Sequence, residues 1–244
     1  MAPIGKYYQT QHTISVSSIL IDCRIPGKTK DAQIVKGNSN HIVICHRGLF
    51  FKLKILDDNG NHLSLTQVYQ SLCQVLEEVR LRHQQSSEAC QVGLLTSNDR
   101  DSWFESYNAL KDAGNAKAIA DIENSLFLLC LDQSISSTES SPLAKTALNS
   151  LHGHGQLNGS NRWFDKALQF IVAKSGEVAI SNEHSFAEAV PTMSIADFCI
   201  DYIHRDEFPT LAALSQKPII SHIPFELNDE IRKKINEASR KIDK

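Results

Sequence analysis

The feature that most constrains this chain is the way its hydrophobic period switches, from two to about 3.6 and back, over the stretch that starts at His41. Ile42-Val43-Ile44 and Phe50-Phe51-Lys52-Leu53-Lys54-Ile55 have the short, β-branched and aromatic character of strands, with Asp57-Asp58-Asn59-Gly60 as a turn. Val68, Leu72, Val75, Leu76 and Val79 then fall at helical spacing behind Thr66, which can cap that helix. Val92 to Leu95 reads as a short buried strand. Thr96-Ser97-Asn98-Asp99 offers N-caps for a helix through Trp103, Tyr107 and Leu110. A helix from about Asn115 leads into the strand Leu126 to Leu131. An exposed Ser/Thr-rich loop, 133–142, precedes a short helix from Leu143 to about Leu151. Leu168–Ala173 and Val178–Asn182 flank Lys174-Ser175-Gly176-Glu177 as a β-hairpin. Ser194, with Asp197 three residues on, resembles a capping box. It would open a helix facing inward through Ile195, Phe198, Cys199, Tyr202 and Ile203. The last helix, capped by Asn228, places Ile231, Ile235, Ala238 and Ile242 on one face.

Strands alternating with helices in this way predict a layered α/β (α+β) domain, a mixed β-sheet with flanking helices. Residues 1–40 are expected to be irregular, around the turn Arg24-Ile25-Pro26-Gly27-Lys28. Residues 41–224 form the body, and 225–244 a C-terminal linker helix. With 41% hydrophobic and 22% charged residues and a net charge of −3, the chain has neither the basic excess of a general nucleic-acid binder nor a polybasic membrane-binding surface. Its longest apolar run, Leu126 to Leu131, is far too short for a membrane span. The N-terminal Met1-Ala2-Pro3-Ile4-Gly5-Lys6 has neither a secretory apolar stretch nor an Arg-rich amphipathic pattern. Six cysteines without a CxxC pair, most among apolar residues, read as buried reduced thiols of an intracellular protein.

The strand Val178–Asn182 runs directly into Glu183-His184-Ser185-Phe186-Ala187-Glu188. A histidine at a strand end can be fixed by the scaffold yet open to a cleft, and imidazole is the side chain suited to general-base work near neutral pH. A metal site built from His184, Glu188 and His152-Gly153-His154 lacks every strong zinc spacing. No cysteine sits in an activating context either.

The segment Asn161-Arg162-Trp163-Phe164-Asp165-Lys166-Ala167-Leu168-Gln169-Phe170-Ile171-Val172, then Gly176, then Glu183-His184 with Glu188 four residues on, resembles the signature of the carnitine/choline acyltransferase family. Flanking matches are Arg24-Ile25-Pro26-Gly27, Leu94-Leu95-Thr96-Ser97 with Arg100 and Trp103, Cys130-Leu131-Asp132, Leu151-His152-Gly153 and Phe225-Glu226-Leu227. The resemblance runs from about Arg24 to the C-terminus. Phe164 and Glu188 are most similar to the acetyl-transferring branch.

It implies one chloramphenicol-acetyltransferase-like half of a two-domain acyltransferase that moves an acetyl group between coenzyme A and carnitine, with no bound cofactor. His184 would be the general base, serving substrates that approach from opposite ends of a tunnel, and Glu188 a supporting carboxylate. Arg162 and Asp165 are expected to form a structural ion pair that holds the loop, with Trp163 and Phe164 in the core. Mitochondria and peroxisomes are the family's usual compartments.

Three departures from the family pattern stand out. Ala189 follows Glu188 where the family has glycine, and would strain the loop if that position has positive φ. His154 interrupts the glycines after His152. The family's Ser-Thr-Ser oxyanion motif, its arginine for the carnitine carboxylate and its basic residues for coenzyme A have no match, nor has its early segment before Tyr7. The chain is therefore expected to be an acyltransferase homologue, either an incomplete gene product or one half of an enzyme, with self-association or a partner chain as its candidate associations. The competing expectation is a non-catalytic relative acting as an interaction module.

Overall fold

The computed structural model describes residues 22–35, 39–56, 60–85, 90–134, 141–153, 156–184, 189–205 and 220–242. Strands β1 (Asp22–Ile25) and β2 (Ala32–Val35) pair antiparallel around the Arg24–Lys28 turn, so this part of the expected irregular segment is an ordered ribbon. A bridge from Cys23 to Lys166 stitches it to the body. Next come β3 (His41–His46) and β4 (Leu49–Lys54), joined by Arg47 and Gly48 at φ 50° and 75°. Two left-handed residues in a two-residue loop give the turn whose twist matches a hairpin.

Further along lie α1 (Leu65–Gln85), α2 (Arg100–Leu110), α3 (Ala116–Glu123), β5 (Leu128–Asp132), α4 (Pro142–His152) and the single-turn α5 (Gln156–Gly159). Strands β6 (Leu168–Ala173) and β7 (Val178–Asn182) form the expected hairpin. They are followed by α6 (Ala189–Ile203), β8 (Ile220–Ile223) and α7 (Asp229–Ile242).

Six strands form one mixed sheet in the order β7-β6-β5-β3-β4-β8, in which β3, β5 and β6 run parallel and the outer pairs antiparallel. The layered mixed-sheet fold expected from the alternation is the fold observed. Side-chain alternation sorts the core onto two faces. Val43, Cys45, Phe50, Leu128, Cys130 and Ile171 face α2, α3 and α7. Ile42, Ile44, Leu49, Phe51 and Leu53 face Val75 and Val79 of α1, while Leu168 meets Ile195 of α6. The helix expected as a linker, α7, buries Ile231, Ile235 and Ala238 in the same core as Trp103 and Trp163.

Four expectations need correction. Helix α1 is capped by Ser64, not Thr66. The Ser64 hydroxyl accepts from Gln67 N at 3.2 Å and Ser64 N donates to Gln67 Oε1 at 2.8 Å, a reciprocal box that Thr66, already in the first turn, cannot make. On that helix Leu76 is exposed, and Ser71, Val75 and Val79 carry the buried stripe. Val92–Ser97 is a 3₁₀ helix and not a strand. Helix α6 starts at Ala189, so Ser194 lies inside it. Ile195 points inward but Phe198 and Ile203 face out. Ala189 opens a helix, and Arg47 is the only non-glycine at positive φ among the described residues, so the feared strain is absent there. Expectations for residues 57–59, 135–140 and 154–155 lie outside the described residues.

The 3₁₀ segment is dictated by a close backbone approach. A Cβ added to Gly93 would lie 2.3 Å from Ser160 O and 2.6 Å from Arg162 O, so this backbone packs directly on the turn at 160–162. Gly93→Ala is expected to cost about 3 kcal/mol or more, because neither carbonyl can move without disturbing the polar core behind it. Chemical denaturation of the variant measures this.

The histidines make a second, pH-dependent prediction. His222 packs against Phe51 at 5.2 Å, and burial, with Arg82 nearby, pushes its pKa down to about 4. Burial also lowers His41 and His46, whose rings donate to Asp121 O at 2.8 Å and Leu131 O at 2.6 Å. In the unfolded chain an imidazole takes its proton near pH ~6.5. Between there and about pH 4 the unfolded state therefore binds more protons than the folded state, and stability falls as pH falls. Urea midpoints measured across that window should decline, and His222→Phe should flatten the slope.

Candidate active site

Two buried carboxylates organise the region around the signature segment. Asp132 ends β5, where a charged residue closes an apolar strand. Its carboxylate accepts from Arg162 Nη1 at 3.0 Å and Nη2 at 2.7 Å, Asn161 Nδ2 at 3.0 Å and Asn149 Nδ2 at 3.1 Å. Both members of the Asp132–Arg162 pair have fully buried side chains. Asn161 also accepts from Gly48 N at 2.8 Å, which fastens the tip of the β3–β4 hairpin to the same cluster. Asn158 bridges to Gln133, donating to its carbonyl and accepting from its amide.

Asp165 is the second node and is also buried. It accepts from Trp103 Nε1 at 2.6 Å, Arg100 Nη1 at 2.6 Å and Arg24 Nε at 3.3 Å. The expected Arg162–Asp165 pair does not form. Both residues are structural, but the tight turn between them points Arg162 to the end of β5 and Asp165 to the start of α2. Trp163 is buried as expected, stacked edge-on to Trp103 and Phe50, whereas Phe164 is only half-buried. Phe164 lines a shallow cavity of about 360 Å³ with Thr96, Ser97, Asn98, Asp99, Leu151 and the end of α7.

His184 follows β7 by two residues, in a turn, with its side chain exposed to solvent. The residue before it is not loose. Glu183 N donates to Ala167 O at 3.1 Å, extending the β6–β7 ladder, and Glu183 Oε1 meets Arg24 Nη1 at 3.0 Å. Arg24 and Arg100 share Asp31 as well as Asp165, with Asp31 Oδ2 at 3.4 Å from Arg24 Nε and 2.7 Å from Arg100 Nη2. Burial disfavours the Asp31 charge, but the Gly27 amide and the two guanidiniums outweigh it and hold its pKa below the usual carboxylate range. Glu188 lies outside the described residues. Sequence reasoning gave no role to Arg24, Asp31, Arg100, Asp132 or Glu183. Arg24, Arg100 and Asp132 belong to the flanking matches and Glu183 to the signature itself, which was the available signal; Asp31 lies in neither.

Three thiols in and beside the core, Cys45, Cys90 and Cys130, are poor nucleophiles here. Burial pushes Cys130 up to about 12 and Cys90 to about 11, and raises Cys45 well above its ordinary value. None of the helices among the described residues is long and apolar enough to cross a membrane.

His184 is thus an exposed histidine just past the β6–β7 hairpin of the mixed sheet, and the Choline/Carnitine o-acyltransferase family profile matches residues 8–244. The chain belongs to that family. Within it, this chain is 32% identical to carnitine O-acetyltransferase of Homo sapiens over 246 residues, covering 98% of this chain and 37% of that protein. The Columba livia carnitine O-acetyltransferase is also 32% identical, over 247 residues with the same coverage. Carnitine O-palmitoyltransferase 2, mitochondrial, of Homo sapiens is 28% identical over 252 residues, covering 98% of this chain and 35% of that protein. The chain thus spans about 37% of the length of the acetyltransferases it matches.

Removing Arg162 would strand a buried carboxylate. Arg162→Met is expected to destabilise by about 3–5 kcal/mol. Asp132→Asn combined with Arg162→Met should cost less than the sum of the two single changes, since neither partner is then left charged alone. Denaturant titration of the three variants checks both statements.

Proposed function

We propose that this chain carries the general base of a transferase that moves a short acyl group, acetyl, between coenzyme A and carnitine, and that His184 is that base. The observation that carries the reading is the exposed imidazole at the end of β7, next to a residue pinned by both its amide and its carboxylate. In this reading His184 takes the proton of the carnitine hydroxyl. The alkoxide attacks the thioester carbonyl, and the tetrahedral oxyanion collapses with loss of the coenzyme A thiolate, which recovers the proton from the imidazolium. Atoms and charge balance without a bound cofactor, coenzyme A being a substrate.

Glu188 is proposed as a carboxylate that orders the polar side of the site without carrying a proton. The 32% identity to acetyltransferases, against 28% to a palmitoyltransferase, favours the short acyl group. Oxyanion donors and the groups for the carnitine carboxylate and coenzyme A are assigned, in this reading, to chain beyond these residues or to an associated copy. The compartment proposed is a mitochondrion or peroxisome, where acyl-CoA is handled.

The test is carnitine- and acetyl-CoA-dependent thiol release by the purified chain. His184→Ala should lower the rate by at least about a hundredfold while the circular-dichroism spectrum is unchanged. Equal activity in the variant would remove His184 from the chemistry.

A further inference from the structure

Among the described residues, strand β7 lies at the edge of the sheet and has β6 as its neighbour on one side only. Its ladder closes at Leu168–Asn182, with one further bond from Glu183 N to Ala167 O. A strand end of this kind frays unless something outside the ladder restrains it. His184 is the next residue, so the direction of its Cα–Cβ bond follows the backbone of Glu183.

The restraint comes from the N-terminal ribbon. Arg24 is fixed by its own backbone, with Arg24 N donating to Asp165 O at 2.9 Å, and by its side chain, with Nε 3.3 Å from Asp165 Oδ1. Asp165 cannot yield, because Trp103 and Arg100 hold its two oxygens and it is buried. From that anchored position the far arm of the guanidinium, Nη1, reaches Glu183 Oε1 at 3.0 Å. One planar group therefore spans three carboxylates, the buried Asp165, Asp31 beside it and Glu183 at the strand end, a geometry that the single ammonium of lysine does not reproduce.

Resting on the assignment of His184 as the base, we propose that Arg24 is a positioning residue, which through its bond to Glu183 holds the end of β7 and so sets the direction from which His184 meets the substrate hydroxyl. Arg24 touches no reacting atom. Asp165 and Arg100 complete the clamp, and Asp31 closes the turn that carries it. A general base displaced by about an ångström loses rate more than affinity, so the clamp acts on kcat.

The experiment uses the full 244-residue chain with Arg24→Lys and Glu183→Gln, the second chosen because it leaves the buried Asp165 cluster intact. Two readouts are taken: amide hydrogen exchange at Glu183, whose N–H bonds Ala167 O, and steady-state thiol release. Exchange at Glu183 should quicken about tenfold or more in both variants, with little change at Ile171 in the middle of β6. The kcat should fall tenfold to about a hundredfold with KM for carnitine and acetyl-CoA held within about twofold, and the double variant should be no worse than the poorer single one.

Unchanged exchange at Glu183 in both variants would overturn the clamp, as would a loss of activity that matches a loss of folded protein. The two proposals fail separately. Full activity in His184→Ala removes the base but leaves the exchange result to judge the clamp. An inactive His184→Ala beside unaltered Arg24→Lys and Glu183→Gln removes the clamp but not the base.

Discussion

The interaction on which the rest of this structure depends is the fully buried pair between Asp132 and Arg162. Two charges taken out of water carry a desolvation penalty of several kcal/mol each, and the pair is tolerable only because every lobe of the carboxylate is occupied. Four donors converge on Asp132: two from Arg162 and one each from Asn149 and Asn161. Those donors come from the end of α4 and the turn before β6, so satisfying one carboxylate fixes where three separate segments meet. Asn161 then extends the constraint to the β3–β4 hairpin through Gly48. A hydrophobic core alone would not specify this register as tightly, because apolar contacts have no direction and hydrogen bonds do.

The second node, Asp165, has the same logic on the other side of the turn. Three residues after Arg162 the chain has reversed, and Asp165 faces Trp103, Arg100 and Arg24. Its indole partner ties it into the aromatic cluster in which Trp103 and Trp163 meet edge to face at 5.5 Å. The turn between the nodes is pressed onto the 3₁₀ segment at Gly93, and Phe164 N donates to Thr96 Oγ1 at 3.2 Å. Lys166 closes the turn with its ammonium on the carbonyls of Glu123 and Ser125. Every polar member of the turn from Asn161 to Lys166 thus points into scaffold.

How much of this was legible follows from the distances along the chain. The β6–β7 hairpin and the caps at Asp99 and Asn228 depend on residues within a few positions of one another, and their local patterns announce them. Val92 to Leu95 reads as a strand yet folds as 3₁₀ helix, because a four-residue apolar run has the same composition in a buried strand and in a tight helix, and only the distant backbone at 160–162 decides between them. Helix α6 was misplaced because it is apolar nearly all round, with Val190, Met193, Phe198 and Ile200 exposed, so no stripe marks its inward face. Arg162 and Asp165 looked like partners because they are three apart. Their actual partners are 30 residues away for Arg162 and 65 and 141 residues away for Asp165. Periodicity carries no information at such separations.

The division of labour between the signature segment and the histidine follows from the same geometry. A sequence pattern is recognisable when many neighbouring positions are each restricted, and a turn whose side chains must all find buried partners restricts nearly every position. Asn161, Arg162, Asp165 and Lys166 meet that condition, and Trp163 N is further tied to Gln169 Oε1 at 2.9 Å. His184 needs only an exposed imidazole at a defined place, a demand on one side chain that leaves little trace in its neighbours. The residues that best identify the family are therefore the ones that build the platform, while the residue proposed for the chemistry is recognised through the platform it stands on. Arg24 links the two, since it takes its position from Asp165 in the turn and passes it to Glu183 beside the histidine.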